Sequence, residues 1–372
     1  MILSLLWGRT GDAAVPKLTS EGFRVPQPGR EFTFPRDHGS HPDYKIEWWY
    51  LTGHLFDDDG GRFGFQATFF RVGARPPGET PVFASAAFGD GELHMAHMAL
   101  VNEAGDRFFH EERLHRDGAQ AHASAETLDV RNGNWTLRME DPETERMRLR
   151  FTVRGGVRAD LTLTPEKPLI VFGEDGTSRK GAAPTARSYY LTFSRLAVEG
   201  SLDIAGEQHV ISGLAWMDHE IASEQLSPDL EGWDWTAIHL FDGREIKAYI
   251  LRRPDGSADP FSAWMWIDEA GEVTYLGADD FTWTAKRTWT SKSSGAAYPV
   301  EVALAAPDPA DDGKTVRLRL VPLRDAQEIP GSLGGTIYWE GAMRVLDTNG
   351  KAVGHAYMEL VGYDAPVGER LR

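Results

Sequence analysis

The chain has 372 residues, a formal net charge of −17, 41% hydrophobic residues, 12 tryptophans and no cysteine. Its acidity, with lysines and arginines scattered, excludes a basic groove for nucleic acid and disfavours anionic membrane surfaces as partners. The lack of cysteine excludes disulfides, thiolate catalysis and cysteine-based zinc sites, without fixing the compartment.

Residues 1–27 read as an N-terminal arm. Its run ILSLLW has the look of a signal h-region remnant, but it is short and no basic segment precedes it. No stretch approaches the ~20 apolar residues that span a bilayer. Next comes DHGSHPDYKIEWW, with His38, His41, Asp43 and Glu47. These are metal-ligand types, but two histidines three apart in a Gly/Pro loop form no compact motif, so no metal is expected. Glu47 shares a strand face with Trp49 and Leu51 and reads as a buried carboxylate.

Beyond this point strand signals dominate. WWYLTGHLFDDDGGRFGFQATFFR reads as a hairpin turning at DDDGG. In HMAHMAL, His94 and His97 fall on opposite faces, one read as core and one as exposed. RMRLRFTVRG, ADLTLTP and, later, TVRLRLVPL alternate apolar and polar residues. GEDGTSRKGA, at 173–182, reads as a mobile surface loop, since it lacks P-loop spacing and no helical pattern follows. GLAWMDHE, at 213–220, sets Asp218, His219 and Glu220 directly after an apolar run. Ser223–Leu226, SEQL, is among the few helical candidates. WDWTAIHLFDGREIKAYILRR opens a second hairpin, and GHAYMELVGY closes the pattern. No GxSxG elbow is present. The fold class expected is all-β, built from sandwiches or barrels.

The chain repeats itself. Trp48 falls on Trp233, Tyr50 on Trp235, and HLFD at 54–57 on HLFD at 239–242, all with one offset of 185. NEAG at 102–105 echoes DEAG at 268–271, and GLAWMD at 213–218 echoes GHAYME at 354–359. Three echoes in one order point to duplication: an N-terminal barrel over 28–222, a linker at 223–230 and a C-terminal barrel over 231–372. The alternative is a single large sandwich with accidental echoes. Period-2 geometry places Trp48, Tyr50, Thr52 and His54 on one face, and Trp233, Trp235, Ala237 and His239 on another. Either these rings fill the core, or they line a closed barrel around a small hydrophobic ligand.

The segments EWWYLTGHL, SYYLTFSRL, GLAWMDHE, GWDWTAIHL, YWEGAM and GHAYMELVGY resemble the AttH and carotenoid 1,2-hydratase (hydroxyneurosporene synthase) family, from about Asp37 to Tyr363. The block from Gly213 to Leu240 is the most specific, and the chain is most similar to the AttH-type branch. The resemblance implies two tandem lipocalin-like, calycin-type antiparallel β-barrels. It implies a hydro-lyase that adds water to an isoprenoid double bond, or a relative that hydrates prenyl groups or steers polyene cyclisation, with no cofactor. A periplasmic or secreted location is implied before a cytoplasmic one. The proton donor of the hydratase branch matches Asp218, and the aromatic two residues earlier matches Trp216.

Hydrating an alkene needs an acid that is still protonated at neutral pH. A free aspartic acid has a pKa of about 3.9. Burial among aromatics raises it by as much as about 3–5 pH units. The catalytic candidates are Asp218, Trp216 and Glu220, the last either orienting water or pairing with an arginine. The ligand-binding candidates are Trp48, Tyr50, His54, Trp233, Trp235, His239, Tyr357 and Glu359. The alternative for Asp218 is a strand-end charge held by Arg195 or Arg252. The alternative for the protein is a lipocalin-like carrier of a hydrophobic molecule. The sequence does not specify an oligomeric state.

Overall fold

The computed structural model describes residues 14–76, 78, 91–173, 175–333 and 335–368. The apolar run at the start of the chain lies outside them, as does Glu174; the rest of 173–182 is not a mobile surface loop, since Ser178–Arg179 forms a strand pair and Lys180 is buried and ion-paired. Among the described residues the only helix is a 3-10 turn at Arg36–His38, and no helix is long and apolar enough to cross a membrane. Ser223–Leu226 is not helical; Glu224 makes a single bridge to Ala186.

Among the described residues the named strands all pair antiparallel. The first sheet comprises β1 (Ile46–Asp57), β2 (Arg62–Val72), β3 (Leu93–Asn102), β4 (Arg107–Arg116), β5 (Ala121–Ala123), β6 (Asp129–Asn132), β7 (Trp135–Asp141), β8 (Arg146–Val153), β9 (Val157–Pro165), β10 (Ile170–Val171), β11 (Ser178–Arg179), β12 (Arg187–Ile204) and β13 (Glu207–Ala222). The second comprises β14 (Gly232–Leu240), β15 (Glu245–Arg252), β16 (Ala263–Ile267), β17 (Val273–Gly277), β18 (Thr282–Thr290), β19 (Ala297–Pro307), β20 (Thr315–Pro322), β21 (Glu328–Ile329), β22 (Tyr338–Leu346) and β23 (Ala352–Val361). The first runs β4-β3-β2-β1-β13-β12-β9-β8-β7-β6-β5, and the second β17-β16-β15-β14-β23-β22-β20-β19-β18. The two paths are the same: a four-strand meander, then the last strand of the sheet, then its predecessors in reverse.

Each sheet curls into a near-barrel, as expected of lipocalin-like units. Among the described residues the end strands of the first sheet are not hydrogen-bonded to each other; β3 and β4 instead pack across the opening onto β6 and β8. The interior is solid. Trp49, Leu51, Leu55, Phe63, Phe65, Trp135 and Leu149 belong to one continuous buried cluster. Ile238, Trp264, Trp266, Tyr298, Leu320 and Trp339 belong to its counterpart in the second sheet.

A third cluster, with Tyr50, Tyr190, Trp216, Trp235 and Tyr338, lies where the outer faces of the sheets meet. Strand patterns record this. β8 alternates exposed and buried residues, because its outer face meets water. β1 is buried on both faces for most of its length, which is why WWYLTGHL is nearly free of charge. At the seam the backbones approach closely: a Cβ on Gly64 would lie 2.3 Å from that of Ala342. Polar clasps flank the contact. Lys167 Nζ reaches Glu245 at 2.6 Å, and Arg62 Nη2 reaches His355 Nδ1 at 2.9 Å. Residues 14–27 are docked rather than frayed: Phe23 and Val25 are buried, and the Tyr189 hydroxyl accepts the Gln27 N–H.

Candidate functional site

The rows of aromatics face the seam, not the barrel interiors. Along β1 the odd residues Trp49, Leu51 and Leu55 fill the first barrel, so Trp48 and Tyr50 point outward, toward the second sheet. A cavity of about 450 Å³ opens there, within the range of small-molecule sites. Its wall includes Trp48, Tyr50, Phe70, His97, Tyr190, Asp218 and Glu220 from the first sheet, and Trp233, Trp235, Tyr249, Tyr338 and Glu359 from the second. Thus an aromatic-walled cavity exists, but between the barrels rather than, as expected, inside one. Each barrel's interior is already packed with its own large side chains.

Asp218 is buried on this wall. Its Oδ2 accepts the Tyr190 hydroxyl at 2.8 Å. Its Oδ1 accepts Trp216 Nε1–H at 2.8 Å and the Thr192 hydroxyl. Pairing of β12 with β13 sets Thr192 directly opposite Asp218, which explains the contact. Burial raises the Asp218 pKa above the ordinary aspartate value; the neighbouring Lys247 and the three donors work against it. The Lys247 amine is fully buried and makes no hydrogen bond among the described residues. It stands over the Tyr190 ring at 3.0 Å and the Phe172 ring at 3.9 Å. Burial drives its pKa well below the ordinary lysine value.

Neither arginine considered for Asp218 reaches it. Arg195 pairs with Glu245, across the seam, and Arg252 pairs with Asp234 at 3.0 Å. Glu220 is ion-paired, but with a lysine: Lys180 Nζ lies at 3.0 Å, and Ser188 and Gln225 also donate to it.

The second sheet brings its own carboxyls. Glu359 Oε2 accepts Trp233 Nε1–H at 2.7 Å. Burial, with the negative charge of Glu220 and Asp218, pushes its pKa up to about 7 against the pull of the Trp233 bond. Glu359 is partly accessible because it opens on the cavity, yet it lies deep in the protein. Glu340 is directly opposite on β22. Its Oε2 accepts the Tyr50 hydroxyl at 3.1 Å, and its Oε1 has no partner among the described residues.

The structure therefore gathers Trp48, Tyr50, Asp218, Glu220, Trp233, Trp235 and Glu359 around one cavity, with Trp216 bonded to Asp218 from behind. Three sequence candidates lie elsewhere. His54 Nε2 meets the Ala356 carbonyl at 2.8 Å and His239 Nε2 meets the Ser194 carbonyl at 2.8 Å. Each histidine is on the expected face but ties its sheet to the other. Tyr357 packs with Val101 and Ala342 away from the cavity. His94 and His97 are both buried, because both faces of β3 are covered. His97 joins the cavity wall, bonded to the Tyr338 hydroxyl at 2.7 Å.

Of the metal-type residues, His41 and Glu47 meet, together with His219. Glu47 accepts from His41 at 2.8 Å, His219 at 2.9 Å and Arg71 at 3.0 Å. Every Glu47 oxygen is occupied and Arg71 supplies the positive charge, so the cluster is a satisfied network rather than a set of open ligands. His38 bonds Glu145 and Asp43 pairs with Arg24, away from it. Sequence reasoning missed Tyr190, Thr192, Lys247, Lys180, Glu340 and His97 as site residues. The first two were visible in SYYLTFSRL, whose alternation with GLAWMDHE sets hydroxyls beside carboxyls once the strands pair.

A family model described as AttH-like matches residues 25–363. A crystal structure provisionally assigned as AttH, from Nitrosomonas europaea, is 33% identical, covers 91% of this chain and 98% of its own, and superposes with a TM-score of 0.79. Kievitone hydratase from Nectria haematococca shares the fold at 16% identity, with 95% and 97% covered and a TM-score of 0.65. A complex of CghA with Sch210972 also shares it, at 12% identity, 94% and 97% covered and a TM-score of 0.51. No curated protein sequence gives a significant match.

Proposed function

Because the chain belongs to the AttH-like family, we propose that it binds a hydrophobic molecule in the seam cavity and adds water across, or cyclises, one of its carbon–carbon double bonds. The carrying observation is a pair of buried carboxyls of raised pKa, Asp218 and Glu359, on the wall of one aromatic cavity, with Trp216, Trp233 and Trp235 beside them. Proton transfer to an alkene carbon leaves a carbocation. A face-on indole stabilises a desolvated cation by roughly 0.5–2 kcal/mol, and a carboxylate nearby adds to it. A fold shared with kievitone hydratase supports hydration over other alkene chemistry. An isoprenoid or polyene is the substrate class that suits such a wall. On this reading 28–222 and 231–372 are duplicated units joined at 223–230, supported by the common strand path of the two sheets.

One observation favours a carrier instead. Three protein donors already satisfy Asp218, so it needs no ligand to complete its bonds. The test separates the two. Prenyl and polyene compounds are titrated against tryptophan fluorescence, then incubated in heavy-oxygen water. Saturable quenching with label entering the product, lost in Asp218→Asn, supports hydration. Saturable quenching without any product leaves the carrier. No quenching across the panel removes both.

A further inference from the structure

Two carboxyls of the second sheet lie beside the cavity with no cation to balance them. Glu340 and Glu359 are cross-strand partners on β22 and β23, which places their side chains on one face at roughly 4.5–5.5 Å between Cβ atoms. Glu340 is fully buried with one oxygen unpartnered. Among the described residues, neither forms an ion pair; Lys180, the lysine whose charge acts on Glu359, is bound to Glu220. Adjacent buried carboxyls without a counter-ion cannot both ionise.

Asp218 differs in kind. Two hydroxyls and an indole N–H all donate to it, and each such bond favours the carboxylate. Glu359 receives one donor, from Trp233. We infer that Glu359, backed by Glu340, is the proton donor of the cavity, and that Asp218 is the carboxylate that receives the proton from water. This rests on the hydration reading above and reverses the direction of transfer that the family resemblance implies.

The step balances. The Glu359 O–H bond breaks as its proton forms a C–H bond at one alkene carbon, and the π electrons leave a cation on the other. A water oxygen bonds to that carbon. One of its O–H bonds then breaks, and the proton goes to Asp218. Alkene and water become alcohol, and one proton has moved from Glu359 to Asp218. It returns through cavity water to Glu359, the carboxyl with more proton affinity, so the cycle closes downhill. The groups that face the donor pull both ways. Burial and the negative Asp218 and Glu220 oppose its ionisation, the Trp233 N–H and the positive Lys180 favour it, and its partner Glu340 lies among Tyr50, Tyr338 and Tyr357.

The test is the pH–rate profile of wild type, Glu359→Gln and Asp218→Asn, with infrared titration of the protonated carboxyl band. A donor must be protonated, so Glu359→Gln should erase the alkaline limb. An acceptor must be ionised, so Asp218→Asn should erase the acid limb. Each change should lower kcat about 10²–10⁴-fold. The opposite assignment of limbs, or full activity in Glu359→Gln, overturns the inference and leaves hydration standing. In the infrared, a band that titrates near neutrality should vanish in Glu359→Gln and persist in Asp218→Asn. A band lost only in Asp218→Asn overturns the inference. If wild type turns over no alkene while Glu359 carries that band, the hydration reading fails and the proton assignment survives.

Discussion

Replacing Lys247 with methionine should make the protein more stable, by an amount that depends on pH. The amine is buried and makes no hydrogen bond; its removal relieves about 1–3 kcal/mol. Methionine keeps most of the stem's packing. The losses are the contacts with the Tyr190 and Phe172 rings. For a neutral amine these are worth about 0.5–1 kcal/mol each. The net gain is then about 0.5 kcal/mol above the ordinary lysine pKa of 10.5. Below it the gain grows. In the wild type the unfolded chain binds a proton on Lys247 that the folded chain, with its lowered pKa, refuses. Wild-type stability therefore falls as pH drops through that window, by about 1.36 kcal/mol per pH unit. Methionine has no such loss, so over two pH units the gap widens by about 2.7 kcal/mol. Urea midpoints of both proteins across the alkaline range measure it. A variant that is less stable, or a gap that stays flat with pH, would show that the amine remains charged beside Asp218. An ion pair broken there would cost about 3–5 kcal/mol, and the charge balance of the cavity would have to be redrawn.

Glu47→Gln should destabilise the fold by about 1–3 kcal/mol in urea, since Arg71 loses its fully buried carboxylate partner and keeps only Glu92. Its pKa is held well below the ordinary value by His41, His219 and Arg71 despite burial. That stability is present above the usual carboxylate range and is lost as pH falls, so the variant's acid-unfolding curve should be flatter. Tyr190→Phe removes one donor from the Asp218 carboxylate. It should raise the Asp218 pKa and move the acid limb of turnover to higher pH, with a stability loss of about 1 kcal/mol; an unmoved limb would mean that Asp218 does not govern it.

Much of this site was legible because a strand has a period of two. From WWYLTGHL alone, Trp48, Tyr50 and His54 share a face, and they do. What periodicity cannot say is which face is which when both are buried. β1 shows no polar side, so the row reads equally well as a barrel lining or as the outer face of a barrel pressed against another. The same ambiguity hid His54 and His239, whose partners are carbonyls of the opposite sheet, and Lys247, which meets Tyr190 only because β15 folds over β12. Pairings within one hairpin are local and visible; pairings across the seam need the docking of the two sheets.

That docking also explains how one strand path yields two unlike chemical centres. Registers match row for row: Tyr50 opposes Asp218 as Trp235 opposes Glu359. The third member differs. Thr192 stands beside Asp218, whereas Glu340 stands beside Glu359. A hydroxyl donates to a carboxylate and favours its charge; a second carboxyl competes for the same proton and disfavours it. The next row differs too. Glu220, opposite Trp48, is balanced by Lys180, and its counterpart opposite Trp233 is the uncharged Val361. A single residue type at each third position thus separates the proton affinities of two equivalent carboxyls that share a cavity. Acid–base catalysis requires such a separation, and it arises here only when the outer faces of the two barrels meet.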